Sequence, residues 1–487
     1  MKKVMALMLT AVMAAGVFAG CQKPEAAKES GEKPVLRQLG FQRNFDPNQD
    51  PVAKFLEEKT GYKVNYEILP LENPNDKLNL LMANKEQIDI LKLTAAQYSK
   101  LANEGALEPL DDLLKEHGQT LLKVNSPEAF ETAKVNGKIY GIPEQAPKPF
   151  ISEAFAVRQD IMDELGLKTP TTLDEFYTVL KTIKEKKNII PLTGFEPIVY
   201  QIAGAFGVVT QWEEADGKVR NRLENPGMKE YLEFMNKLYN EGLIDKEWPI
   251  NNSAKIQEKF TSGKAAMMTY GWGIAGVVPK ALEKNFPNAK ITLIPSLKGK
   301  DGKQGAFLQA TGVSWYIAIP KVSKNKEHAM KYMDLKVQPD LFKELAIGQE
   351  NVHWKKEADG RMVPILPKFN EERNNADWFI TSTDAKAYQD LWVLRTRKDP
   401  LIGAAFDEMQ KQEPYGKKDV VATYAPPLAT NAKYNQKLLK LESDYILKAI
   451  AGSEKVDNFD KFIQQWKNEG GEEASKEVND WYSTWKK

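Results

Sequence analysis

The sequence has almost no cysteine and very little histidine. Cys21 is the only cysteine in 487 residues, and there are three histidines. A disulfide bond within one chain is therefore excluded, and the cysteine and histidines are too scattered to form a zinc-ligand cluster. The histidines are far apart in the chain, and there is no G-x-S-x-G motif, so the sequence gives little support for an enzyme. They are His117, His328 and His353.

An excess of charge of either sign is also lacking. The chain has 68 Lys and Arg against 67 Asp and Glu, and these charges alternate along the surfaces of predicted helices. A nucleic-acid-binding protein normally has a concentrated basic face, so we exclude nucleic acid as a partner. Residues 271–276 read G-x-G-x-x-G, but the bulky Trp272 in the turn and Pro279 in the following helix argue against a dinucleotide site.

No apolar run is long enough to be a comfortable transmembrane helix. Lys2 and Lys3 precede an apolar segment shorter than the roughly 20 residues needed to cross a bilayer, and small residues follow it. These features predict a signal peptide over residues 1–20. The sequence Phe18-Ala19-Gly20-Cys21 resembles a bacterial lipobox, which implies lipidation of Cys21 and an anchor on the outer face of the cell membrane. An ordinary signal peptide with an incidental cysteine is the alternative.

The segment after Cys21 is polar, with proline, glycine and mixed charge, and predicts a flexible linker over residues 21–33. Further on, the helix and strand signals alternate. Asp50 and Pro51 are typical of a helix start, Gly61 ends that helix, and alternating apolar residues over 64–68 predict a strand. This alternation indicates an α/β fold with mostly parallel sheets.

One stretch has the spacing of a calcium-binding loop. Asp46, Asn48, Asp50 and Glu57 match positions 1, 3, 5 and 12 of an EF-hand loop. Pro51 takes the position where a glycine makes the sharp turn, and its fixed negative φ does not allow that turn. Helix capping explains Asp50 better, so we predict no metal and no cofactor.

Several segments, taken in order, resemble one family. They are TGYKVNYEILP, KLNLLMANKEQIDILKL, NEGALEPLDDLL, VNGKIYGIPE, FAVRQDIMDELGLKTPTTLDEF, FTSGKAAMMTYGW and KNKEHAMKYMDL. The chain resembles the extracellular solute-binding proteins of carbohydrate-uptake ABC transporters, in particular the large lipoproteins of Gram-positive bacteria. The resemblance covers nearly the whole chain after the linker.

This resemblance implies a type II two-lobed fold, in which each lobe is a mostly parallel sheet flanked by helices and the ligand lies between the lobes. The expected lobes are 34–143 with 311–348 and 146–307 with 349–487. The implied function is capture of an oligosaccharide by a monomeric, membrane-anchored protein that delivers it to ABC permease subunits. A lipid-anchored glycoside hydrolase is the alternative.

A sugar site needs aromatic platforms and planar polar groups. Trp272 is the foremost candidate, because an aromatic residue after this strand commonly stacks on ligand in the resembled family. Tyr270 precedes it. The alternative for each aromatic candidate is a place in the core, and for each polar candidate a solvated surface position. The further candidates are Glu144, Gln145, Glu196, Tyr200, Arg43, Asn44, Trp212, Trp315, Trp378 and Trp392. Trp481 and Trp485 lie one turn apart on the last helix, a spacing that favours packing within the protein.

Overall fold

The computed structural model describes residues 33–70, 72–146, 148–309, 312–384 and 386–486. The predicted signal peptide, Cys21 and nearly all of the predicted linker therefore lie outside the described residues. The strands are β1 (Leu36–Gly40), β2 (Val64–Ile68), β3 (Ile90–Leu93), β4 (Lys134–Val135), β5 (Lys138–Ile139), β6 (Gly141–Gln145), β7 (Phe150–Ile151), β8 (Glu153–Arg158), β9 (Ile190–Thr193), β10 (Trp212–Ala215), β11 (Lys218–Asn221), β12 (Ala265–Gly271), β13 (Ile291–Ile294), β14 (Ala306–Gln309), β15 (Val313–Ala318), β16 (Trp354–Lys356), β17 (Met362–Pro364) and β18 (Gly416–Lys417).

The α-helices are α1 (Pro51–Thr60), α2 (Pro74–Ala83), α3 (Ala95–Asn103), α4 (Asp111–His117), α5 (Gln119–Val124), α6 (Pro127–Glu131), α7 (Gln159–Glu164), α8 (Leu173–Lys187), α9 (Tyr200–Ala203), α10 (Gly227–Asn240), α11 (Ser253–Thr261), α12 (Val278–Asn285), α13 (Lys326–Lys336), α14 (Pro339–Ile347), α15 (Lys368–Arg373), α16 (Ala376–Phe379), α17 (Tyr388–Thr396), α18 (Pro400–Gln410), α19 (Val420–Tyr424), α20 (Ala429–Ile450), α21 (Phe459–Trp466) and α22 (Glu472–Trp485). None of them, within the ranges given above, is both long and apolar enough to span a membrane.

Local sequence chemistry explains where several of these elements begin and end. The Asp50 carboxylate accepts a hydrogen bond from the Val52 backbone N–H at 2.9 Å, which caps α1. Gly61 ends α1 with a φ of 68°, a conformation that costs glycine little. Thr172 and Glu175 form the predicted capping box at the start of α8.

The first sheet has five strands in the order β2-β1-β3-β15-β6. The first three are mutually parallel, whereas β15 lies antiparallel to both of its neighbours. Four of the five strands therefore run in one direction. Helices cover both faces of the sheet, with Leu36, Ile90 and Ile142 in one core and Leu39 and Leu91 in the other.

The second sheet has four strands in the order β13-β8-β12-β9. Here β8 lies antiparallel to both neighbours, and only β12 and β9 pair in parallel. Pairing in this sheet is thus less parallel than expected, although three of its four strands share one direction. In each sheet the exceptional strand follows a strand of a separate three-stranded sheet, β18-β14-β7, because β7 precedes β8 and β14 precedes β15.

The packing of apolar side chains divides the chain differently from the prediction in one place. The segment 354–394 contributes Trp354, Phe369 and Leu394 to a core that it shares with Val52 and Phe55 of α1. This segment was predicted to belong to the second lobe, but its apolar side chains pack on the apolar face of α1. After this segment the chain returns to the second sheet between α17 and α18, since α18 contacts β13.

We call the residues that pack on the first sheet the first lobe and those that pack on the second sheet the second lobe. The first lobe comprises β1 to β6 and β15 to α17. The second lobe comprises β7 to β14 and α18 to α22, whose last helices join the core around Phe176 and Tyr231. Both lobes are layered α/β structures, so the two-lobed α/β fold is confirmed.

Candidate functional site

Residues of both lobes meet where the co-directional strands of each sheet end. In open α/β sheets, ligands bind outside the carboxyl ends of the strands. In the first lobe Phe41 follows β1 and Gln145 ends β6, and in the second lobe Glu196 follows β9 and Trp272 follows β12. The region between these residues is the candidate ligand site.

The first-lobe side of the site, which we call the first wall, is built on a stacked aromatic pair. The rings of Phe41 and Trp315 lie 4.4 Å apart at an angle of 7°, and both side chains are half-buried. The Lys92 ammonium lies 5.5 Å from the Phe41 ring centroid and 5.8 Å from that of Trp315. A buried cation beside two rings holds them in place through cation–π attraction.

Lys92 also forms a buried ion pair with Glu144. Its Nζ lies 2.6 Å from Glu144 Oε2, and it donates a hydrogen bond to the Ile380 carbonyl at 2.8 Å. Burial raises the pKa of the Glu144 carboxyl, while the charge of Lys92 favours its ionised form. Glu144 was predicted as a hydroxyl acceptor for ligand, but this buried pairing gives it a structural role instead.

A second set of charges lies at the end of β1. The Arg43 guanidinium donates to both carboxylate oxygens of Asp377, at 3.0 and 2.6 Å, and Arg395 Nη2 lies 2.7 Å from Asp377 Oδ1. Burial opposes ionisation of Asp377, but the charges of Arg395 and Arg43 hold its pKa well below its usual range. About one third of each of the Arg43 and Asp377 side chains is exposed. Asn44 beside them is exposed.

The second-lobe side, which we call the second wall, has two carboxylates beside a cavity of about 210 Å³. Glu196 Oε1 accepts a hydrogen bond from Thr269 at 3.0 Å, and Oε2 accepts one from the Phe195 N–H at 3.1 Å. Within the described residues, no group forms a hydrogen bond or an ion pair with the Glu153 carboxyl group. Burial and the nearby charge of Glu196 raise the pKa of Glu153 to about 7.

The second wall also contains a stacked aromatic pair. Tyr200 and Phe307 lie 4.5 Å apart at an angle of 12° and border a cavity of about 490 Å³ together with Arg222 and Asp419. Arg222 is paired with the buried Glu442 at 2.5 Å. Tyr200, a predicted candidate, thus borders a cavity, and its role in ligand binding stays a prediction.

Trp272 lies where the two lobes meet. Its ring packs edge-on against Phe150 and Trp392, each at 5.9 Å, and against Phe406 at 5.7 Å. Trp392 belongs to the first lobe and Phe406 to the second. The indole is half-buried. It is therefore not enclosed within one lobe, and its role as a ligand platform stays a prediction, as does that of Trp392.

Three other aromatic candidates are buried. Trp378 has no exposed surface and donates from its indole nitrogen to the Phe41 carbonyl at 2.8 Å. The prediction that Trp378 stacks on ligand is wrong, because its ring lies in the first-lobe core. Trp212 and Tyr270 are each 3 % exposed. They border cavities of about 370 and 210 Å³ respectively, but their rings belong mainly to the second-lobe cores.

The residues with calcium-loop spacing serve local structure. Asn48 exchanges two hydrogen bonds of 2.9 Å with the Tyr66 backbone, and Asp46 accepts one from the Asn48 N–H. Asp50 caps α1 and also accepts from Asn375 at 2.9 Å. Among the residues that the structure describes, no group of three or more histidine, cysteine, aspartate and glutamate side chains could hold a metal ion.

A two-lobed α/β fold with aromatic and polar groups where the lobes meet is the architecture that the resemblance to solute-binding proteins implied. The family model for bacterial extracellular solute-binding proteins matches residues 52–359. The chain belongs to this family. This is the class of protein that the resemblance implied.

Known relatives cover most of the chain. Polygalacturonan/rhamnogalacturonan-binding protein YtcQ of Bacillus subtilis is 26% identical over 97% of both chains. An uncharacterized protein in the butB 5′ region of Niallia circulans is 48% identical over 53% of this chain and 100% of its own length. Among solved structures, alginate-binding protein AlgQ2 superposes with a TM-score of 0.70 at 19% identity, covering 93% of this chain and 99% of AlgQ2. That likeness shows the shared fold.

Proposed function

We propose that this protein captures an oligosaccharide between the first and second walls and delivers it to the permease of an ABC transporter. The observation that carries the proposal is that each wall has a stacked, half-buried aromatic pair. These pairs are Phe41 with Trp315 and Tyr200 with Phe307. Sugar rings have apolar faces that stack on such surfaces, while carboxylates such as Glu196 accept hydrogen bonds from the hydroxyls at their rim.

The names of the relatives support a carbohydrate ligand. Besides YtcQ, the fructooligosaccharide-binding protein FusA of Streptococcus pneumoniae is 25% identical over 60% of this chain and 59% of its own length. These names describe ligands with more than one sugar ring. Two aromatic pairs and the half-buried Trp272 suit a chain of rings better than a single ring.

We also propose that Cys21 carries the lipid that anchors the monomeric protein outside the cell. Two acyl chains bury enough methylene groups, at about 0.8 kcal/mol each, for stable attachment. A Cys21→Ser variant is expected to appear in the culture medium, whereas the unchanged protein stays with the membrane fraction. Equal membrane retention of both would contradict the lipid anchor.

Binding without hydrolysis is the expected behaviour. Hydrolysis of a sugar chain would require a carboxyl pair, and Glu153 with Glu196 is the pair that the structure brings together beside a cavity. Mass spectrometry after prolonged incubation is expected to recover the oligosaccharide intact. Release of shorter products that stops in the Glu153→Gln variant would instead support a glycoside hydrolase.

Titration calorimetry tests the proposed function directly. The probes are size-graded galacturonan fragments and, as an uncharged series, size-graded glucan fragments. Saturable binding of at least one series with one site per chain is expected. Absence of binding across both series, with folded protein verified by circular dichroism, would contradict an oligosaccharide function.

A further inference from the structure

Three cavities follow one another along the junction of the two lobes. The 490 Å³ cavity beside Tyr200 shares Gln211, Val313 and Asp419 with the 370 Å³ cavity. The latter shares Val313 and Thr423 with a third cavity of about 570 Å³. Each volume is in the range of small-molecule sites, and the shared lining residues make the three cavities neighbours.

The third cavity ends on exposed aromatic rings. Tyr424 and Trp485 stack at 4.9 Å and 25°, and Trp481 lies 5.5 Å from Trp485 at 23°. Trp485 is 40 % exposed and Tyr424 is 36 % exposed. The sequence favoured internal packing for Trp485, but the structure leaves one side of this three-ring cluster facing the cavity. Exposed clustered rings of this kind mark a binding surface.

Polar groups of both lobes face the same cavity. Glu128 of α6 and Gln145 of β6 come from the first lobe, and Lys418 comes from the second. Within the described ranges, Lys418 forms no ion pair or hydrogen bond. The cavity thus combines flat apolar surfaces with hydrogen-bonding groups, which is the chemistry that a sugar ring requires.

We infer that the third cavity is a distal subsite for the far end of a long oligosaccharide, with Trp485 and Tyr424 as its stacking surface. This inference rests on the proposed function. Its occupant is the same ligand chain that lies between the two walls, because neighbouring cavities that share Val313 and Thr423 lead from one site to the other. Short fragments fill the site between the walls, and longer fragments gain affinity by reaching Trp485.

The test compares how affinity depends on fragment length in three proteins. Calorimetry with a short and a long fragment of the bound series gives two affinities for each protein. The ratio of the affinity for the long fragment to that for the short fragment is the gain from lengthening. In Trp485→Ala this gain is expected to fall about tenfold, the equivalent of one lost stacking contact. The control is Tyr415→Ala, because Tyr415 is 42 % exposed and lies outside the three cavities. Its gain is expected to equal that of the unchanged protein.

The outcomes separate this inference from the proposed function. If the unchanged protein binds no fragment of any length, the proposed function fails and the distal subsite fails with it. If the unchanged protein binds but the gain from lengthening is the same in Trp485→Ala, only the distal subsite is overturned. Sedimentation showing that Trp485→Ala converts a dimer to a monomer would also overturn it, since the rings would then face a second copy.

Discussion

The two walls of the candidate site differ in how their charges are compensated. In the first wall, Lys92 pairs with Glu144, and Arg43 pairs with Asp377. In the second wall, Glu153 is without a partner among the described residues, and burial raises the pKa of its carboxyl to about 7. Both walls have a stacked aromatic pair, so the difference lies in the polar groups and not in the rings.

This difference indicates that the two lobes contribute differently to ligand binding. A wall whose charged groups are already paired is held in place before the ligand arrives. A buried carboxyl without a partner is costly in the free protein, and a ligand hydroxyl can relieve that cost. The first wall therefore supplies a preformed stacking surface, and the second wall supplies groups whose hydrogen bonds are completed by ligand.

The largest expected effect comes from removing the Lys92–Glu144 ion pair of the first wall. Lys92→Met leaves the buried Glu144 unpaired and is expected to lower the free energy of unfolding by about 3–5 kcal/mol. Urea denaturation measures this loss. The matched control is Lys148→Met, since Lys148 forms an exposed pair with Glu413 and its removal should cost less than about 1 kcal/mol. Equal losses in the two variants would contradict a structural role for the Lys92 pair.

A second prediction concerns the ring between the walls. Trp272→Ala is expected to weaken oligosaccharide binding by about 1–3 kcal/mol, through loss of stacking and of buried apolar area. Calorimetry with the bound fragment series measures the change, and Tyr415→Ala again provides the control. Undiminished affinity in Trp272→Ala would show that the indole only packs against Trp392 and Phe406.

A third prediction concerns the unpaired carboxyl group of Glu153 in the second wall. Its pKa is raised to about 7 in the folded chain, so the folded state holds a proton that the unfolded state loses near pH 4.5. Stability should therefore fall as pH rises from about 4.5 to 7, by about 1–3 kcal/mol. In Glu153→Gln this decrease should be smaller by that amount, as measured by urea denaturation at several pH values. A pH profile identical to that of the unchanged protein would mean that Glu153 is not desolvated.

Local signals in the sequence predicted much of the fold. Asp50 with Pro51 predicted the start of α1, Gly61 predicted its end, and the alternation over 64–68 predicted β2. Thr172 predicted the start of α8. These features depend on neighbouring residues, so the sequence contains the information needed to recognise them.

The site was predicted less well, because its contacts join distant parts of the chain. Phe41 stacks on Trp315, and Tyr200 stacks on Phe307, but no spacing in the sequence indicates either pair. Phe41 lies directly after β1, and that position is the one signal by which it could have been found. Nothing local distinguishes the buried Trp378 from the half-buried Trp272, since burial depends on which helices cover each ring.

The passage of 354–394 into the first lobe was missed for the same reason. The apolar residues of this segment, such as Phe369 and Phe379, would fit either lobe by pattern alone. The segment packs in the first lobe because it covers the apolar face of α1, which would otherwise be exposed to solvent. The lobe in which this segment lies is therefore decided by contacts between residues far apart in the sequence and not by local propensity.

Hydrogen exchange measured by mass spectrometry tests most directly whether both walls contact one ligand. The full chain is compared with and without the tightest-binding fragment found by calorimetry. The account predicts slower exchange in residues 41–45 and 313–316 of the first lobe together with residues 194–200 and 270–274 of the second. Protection confined to the segments of one lobe, with ligand saturating, would contradict capture between the lobes.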